Sequence, residues 1–87
     1  MSVHKEISLH AQKQNQLYQQ FIALDDKREH FIEEAVELCK AGREFTTDRI
    51  NQVTEQINRL ANHRLIPSRK WVTEEMVREY VKKLQEN

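Results

Sequence analysis

The first forty residues repeat one pattern of apolar and polar positions. Val3, Ile7, His10, Gln14, Leu17, Phe21, Leu24, Arg28, Phe31, Ala35 and Leu38 are spaced alternately by four and three residues. That is a heptad stripe, which lines one face of an α-helix. Eight of these eleven positions are apolar, and no Gly or Pro interrupts residues 2 to 41. The spacing predicts one helix from about Val3 to Ala41, roughly 57 Å long at about 1.5 Å per residue. A competing break lies at Asp25–Asp26, because Asp26 followed by Glu29 has the spacing of a capping box. The heptad passes through this point without slipping, so a continuous helix is the expectation. Tyr18, Ile22, Ile32, Val36 and Cys39 flank the stripe. They widen it beyond a two-position seam, which suits a bundle better than an isolated two-stranded coil. Gln12, Gln14, Asn15, Gln16, Gln19 and Gln20 make the N-terminal third amide-rich. That third is expected to be the least stable part and a candidate partner surface.

Gly42 follows the heptad at once and can take the left-handed conformation that closes a helix C-terminus. In the next stretch, Thr46 can cap a second helix. Phe45 and Ile50 then stand at the two positions of a hydrophobic staple, with Asp48 in the first turn. Ile50, Val53, Ile57 and Leu60 give this helix its apolar face over about 47–64. Pro67 ends it by disfavouring helical geometry at Ile66. A third helix over about 74–85 starts with the same device. Val72 precedes the cap Thr73, Glu74 and Glu75 fill the first turn, and Val77 completes the staple. Met76, Val77, Tyr80, Val81 and Leu84 are its apolar set, with Lys82 and Lys83 near its end.

The expected fold is therefore all-α and a single domain over 1–87. A long N-terminal helix packs antiparallel with two shorter ones, as a helical hairpin or three-helix bundle. The short loop at 42–46 turns the second helix back along the C-terminal half of the first. The third helix then continues onto the N-terminal half or crosses the open end. Composition agrees with this picture. One Gly and one Pro in 87 residues nearly exclude an all-β fold and Gly-rich phosphate loops. One Cys excludes an intramolecular disulfide and a Cys-based zinc site. No apolar run approaches 18 residues, and the N-terminus lacks a basic-then-apolar pattern. Neither a membrane span nor a secretory leader is expected. Net charge is zero, which gives no overall bias toward nucleic acid or anionic membrane.

Candidate chemistry is sparse. Asp25, Asp26, Glu29, His30, Glu33, Glu34 and Glu37 read as a solvated charged face with helix ion pairs. The Glu-x-x-His pair of bundle metal sites is absent. His4, His10, His30 and His63 are scattered, and only His10 sits in the seam, where a polar residue can set register. Cys39 reads as a small packed hydrophobe. Arg28, also in the seam, can snorkel, pair with a carboxylate such as Glu55, or mark an interruption of the core. Arg59, His63, Arg64, Arg69 and Lys70 form a basic stretch beside Trp71. Such a stretch could hold phosphates and stack a base, or simply complement the acidic face of the first helix. Ile66, Pro67, Trp71 and Val72 form an apolar linker that plugs the end of the bundle, or else offers Trp71 as an exposed docking anchor. No nucleophile motif, metal constellation or cofactor box emerges, so no enzyme activity and no cofactor are expected.

The opening run from Met1 to Gln16, Met-Ser-Val-His-Lys-Glu-Ile-Ser-Leu-His-Ala-Gln-Lys-Gln-Asn-Gln, occurs with Phe31-Ile32-Glu33-Glu34-Ala35. Together they resemble the YpbS-like family of short uncharacterised proteins from Bacillus-type bacteria, over nearly the full chain. The resemblance implies a small cytoplasmic bacterial protein of unknown function and supplies no catalytic residues. The residues favour a cytoplasmic helical interaction protein that forms a homodimer and binds another protein. The second helix is too short to cover the whole N-terminal seam, so unless the third helix docks there Leu17, Phe21 and Leu24 are left beside water. A second copy could then bury them. The alternative is a nucleic-acid-associated factor using Arg59, Arg64, Arg69 and Lys70.

Overall fold

The computed structural model describes residues 2–62 and 66–86, with side chains from residue 15 onward. Among the described residues it holds three α-helices and no strand. These are α1 (Ser2–Lys40), α2 (Asp48–Leu60) and α3 (Glu74–Glu86). The molecule is long and thin, 62 × 23 × 16 Å, as a 39-residue helix requires. α1 runs without a break through Asp25–Asp26. Asp26, the residue that would cap a restart, is exposed on the continuous helix, and its neighbour Asp25 is paired with Arg69 of the linker at 2.9 Å.

The end of α1 is a Schellman closure. The Arg43 N–H donates to the Leu38 carbonyl at 2.9 Å, and the Gly42 N–H to the Cys39 carbonyl at 3.0 Å. Gly42 has φ 70°, and a Cβ placed there would meet no atom within 4 Å. The penalty for a side chain is therefore backbone strain alone. Gly42→Ala should lower stability by about 1 kcal/mol. Urea unfolding would read this as a lower midpoint at unchanged slope, and an unchanged midpoint would refute it.

α2 is shorter than the expected 47–64. It begins at Asp48 after Thr47 rather than after Thr46, and it ends at Leu60. Thr46 Oγ1 accepts the Asp48 N–H at a long 3.4 Å, while buried Thr47 accepts from the Asn51 amide at 3.3 Å. The early end has a tertiary cause. Asn58, near the last turn, holds the backbone of Arg69, so the chain must reverse soon after Leu60. His63, Arg64 and Leu65 lie outside the described residues. α3 starts as expected, with Thr73 Oγ1 accepting the Met76 N–H at 3.2 Å, and runs one residue further, to Glu86.

Two apolar clusters form the core. Ala35, Val36, Ile50, Val72, Val77 and Val81 make the lower one, with Phe45 and Cys39 packed against it. Phe21, Val53, Ile57 and Ile66 make the upper one, with Leu17 and Leu24 beside them. Phe31 touches both. Val72 and Val77 share the lower cluster, as the staple of α3 requires, while Phe45 packs on the same cluster as Ile50 from one position earlier than a staple, because the N-cap is Thr47.

Two expectations about coverage are corrected. Phe21 is 7% exposed, because Ile57 at the end of α2 and Ile66 in the linker close over it. Leu17 and Leu24 are half-buried on the same cluster rather than beside water. α3 neither continues onto the N-terminal half of α1 nor crosses the open end. Its early residue Arg78 stands over the Phe45 ring at 5.5 Å, while Leu84 shares a groove with Glu29 and Ile32. It therefore doubles back beside the C-terminal half of α1, antiparallel to it. The linker has already returned from the level of Phe21 before α3 begins.

Candidate interaction surface

The polar side chains with the most contacts hold the linker in place. Asn51 donates to the Val72 carbonyl at 2.7 Å and accepts the Val72 N–H at 2.8 Å. Asn58 makes the same two bonds with Arg69, at 3.1 and 2.8 Å. Each amide thus pairs with a backbone segment that has no ladder partner, satisfying groups that burial would otherwise strand. From α1, Arg28 donates to Thr54 Oγ1 and to the Lys70 carbonyl, both at 2.9 Å. Thr54 is fully buried and donates onward to the Ile50 carbonyl. Arg28 and Thr54 thus form a polar contact where α1 meets α2. Arg28 therefore marks an interruption of the core and does not meet Glu55, which pairs instead with Arg59 at 2.8 Å. Burial pushes the Arg28 guanidinium below its ordinary value. Arg69 is pushed the other way by its bonds to Asp25 at 2.9 and 3.4 Å, and its guanidinium also lies 5.2 Å from the Phe21 ring centre.

The basic stretch is consequently not gathered into one free patch. Arg59 pairs with Glu55 along α2, Arg69 with Asp25 on α1, and Lys70 is exposed. Arg64 lies outside the described residues. Arg69 thus complements the acidic face of α1. His10 has no described side chain. Glu29, Glu33 and Glu37 are exposed on α1, and among the described residues no group of three or more His, Cys, Asp or Glu could hold a metal ion. Cys39 is half-buried against the lower cluster, as a packed thiol would be.

The linker splits its apolar residues. Ile66 and Val72 are buried, but Trp71 is 58% exposed. Of the two readings of Trp71, the one in which it seals the bundle is corrected. Asn51 fixes Val72 into the core, and its neighbour is turned outward. Tyr18, Ile22, Met76, Tyr80 and Leu84 are the other large exposed apolar side chains among the described residues. Met76, Tyr80 and Leu84 are spaced by four, so they form a column on α3. With Ile32, Val36, Val72 and Val77 they line an open groove of about 410 Å³ between α1 and α3, rimmed by Glu29, Glu33, Glu37 and Lys40, the last two paired at 3.4 Å. Tyr18 and Ile22 lie further up the same side of α1 as Ile32 and Val36, at three- and four-residue steps through Asp25 and Glu29.

Sequence reasoning missed two of these features. Asn51, Thr54 and Asn58 follow three-four spacing immediately beside the apolar stripe of α2, which marks small polar residues turned toward the core. On α3, Val77 and Val81 suffice to pack one helix. The second column at 76, 80 and 84 was the sign of a surplus apolar face.

The family described as "Protein of unknown function (DUF2533)" matches residues 1–83. The chain belongs to this family. The DUF2533 match spans α1, α2 and most of α3, so the linker and both of its asparagine clamps lie within it. A relative, "Uncharacterized protein YpbS" from Bacillus subtilis (strain 168), is 48% identical over 82 residues, covering 94% of this chain and 96% of its own length. The resemblance expected from the opening run and from Phe31–Ala35 is borne out by these matches. No solved structure matches. Among the described residues no helix is long and apolar enough to cross a membrane.

Proposed function

We propose that this protein is a small cytoplasmic helical interaction protein that self-associates and performs no catalysis. The carrying observation is the apolar groove between α1 and α3. There Met76, Tyr80 and Leu84 are 45%, 53% and 41% exposed. Singly exposed apolar residues are ordinary, but a column of three walling a groove favours a partner. The non-catalytic part is supported by how the buried and part-buried polar groups are used. Asn51, Thr54, Arg28, Asn58 and Arg69 are all engaged in holding the linker. The cytoplasmic part rests on the family resemblance and on the single half-buried thiol of Cys39, which needs no oxidising compartment. The nucleic-acid alternative has less behind it, because Arg59 and Arg69 each already meet a carboxylate.

Sedimentation equilibrium at micromolar concentration should give a mass near twice the 10.5 kDa of one chain. A monomer throughout that range would overturn self-association. A nucleic-acid affinity that falls steeply with salt would revive the alternative.

A further inference from the structure

We propose that α3 is a hinged lid over the C-terminal half of α1. It opens as one unit about the Val72–Thr73 step and leaves α1, α2 and the linker folded. A single copy suffices for this motion, with or without self-association. The linker and α3 are anchored in different ways. Asn51 and Asn58 are seven residues apart, about 10.5 Å along α2, and the three extended steps from Arg69 to Val72 span about 10 Å. Two turns of helix therefore grip the linker backbone at both ends, in the opposite chain sense, with two bonds at each. Between them Arg28 holds the Lys70 carbonyl, and Arg69 reaches down to Asp25. Ile66 and Val72 are buried and Arg69 is half-buried, while Pro67, Ser68, Lys70 and Trp71 are exposed. Every third residue thus turns inward, the period of a polyproline II segment.

α3 has no such clamp. No Cα of α3 comes within 8 Å of one in α2. Val77 and Val81 seat it in the cluster that holds Ala35 and Val36, while Met76, Tyr80 and Leu84 stay exposed. Arg78 lies over the Phe45 ring at 5.5 Å. The bonds at the start of α3, from the Met76 and Val77 N–H groups to Thr73, are local and travel with the helix. Val72 stays behind, because Asn51 holds both its N–H and its carbonyl. A segment with few buried apolar contacts opens before the rest of a fold. A helix of 13 residues is marginal by itself in water, so α3 loses its helix when it lifts. Opening then bares Ala35 and Val36 on α1, both buried in the closed form.

The test is native-state hydrogen exchange of the full chain, followed residue by residue over a series of urea concentrations below the unfolding transition. Amides of residues 78–84 should exchange about a hundredfold or more faster than those of residues 53–57, with a shallower dependence on urea. The Val72 N–H should stay with the slow group. Val53→Ala weakens the upper cluster, which the open form retains. It should speed exchange in α2 about tenfold or more and leave α3 at its wild-type rate. Equal rates and equal urea slopes in α2 and α3 would overturn the lid, as would α3 accelerating together with α2 in Val53→Ala. A Val72 N–H that exchanges with α3 would overturn the hinge at Val72–Thr73.

Discussion

Phe21→Glu should unfold the protein, not merely dissociate it. Phe21 is 7% exposed, enclosed by Val53, Ile57 and Ile66, with the Arg69 guanidinium near its ring. Truncating a buried Phe already removes about 3–5 kcal/mol. A carboxylate in the same apolar site adds its own desolvation, which Arg69 cannot fully offset because Asp25 already occupies it. A chain of this size has about 4–13 kcal/mol of stability in total. The expected outcome is loss of the cooperative thermal transition in far-UV circular dichroism. Phe21→Leu, which keeps the site apolar, should lose far less. If Phe21→Glu gave a well-folded monomer, Phe21 would be an intermolecular contact, and the upper cluster would not form within one chain. The contrast with exposed Tyr80, where a glutamate should spare the fold, separates the two faces of the molecule.

Asn51→Ala should lower stability by about 2–4 kcal/mol, the second large effect. Asn51 is 6% exposed, and its amide satisfies both the N–H and the carbonyl of Val72. Alanine leaves both groups without that partner in a buried site. Each stranded group costs about 1–3 kcal/mol. The isosteric Asn51→Asp is the sharper probe. It keeps the acceptor for the Val72 N–H but sets a negative charge against the Val72 carbonyl. It should be at least as damaging near neutral pH despite its identical shape. Urea unfolding of both variants would decide the matter, and a loss below about 0.5 kcal/mol for either would show that the linker is held by its apolar residues alone.

The long helix, its Gly42 closure and the start of α3 were all legible in the residues, because each depends on neighbours a few positions away. A heptad that keeps register through Asp25–Asp26 predicts one helix, and one helix is found. The end of α2 was not legible. It depends on Asn58 holding Arg69 across a loop, and nothing in the local pattern near residues 61–64 records that bond. The candidate surface was legible in part. Trp71 was one of two open readings, and its exposure follows from Asn51 gripping Val72. Leu17, Phe21 and Leu24 were correctly read as one apolar face but assigned to the wrong cover.

What the sequence determined by itself is which residues share a face. Helical period sets that, and the period is a property of the backbone. Which element covers each face was decided only in three dimensions. The deciding bonds join residues far apart in the chain: Asn51 to Val72 at a separation of 21, Arg28 to Lys70 at 42, and Arg69 to Asp25 at 44. They return the linker to the middle of α1 before α3 starts, so α3 packs beside the C-terminal half. The apolar column at Met76, Tyr80 and Leu84 is left facing outward for the same reason. A 13-residue helix that rests on the core through Val77 and Val81 cannot turn its neighbouring column inward as well.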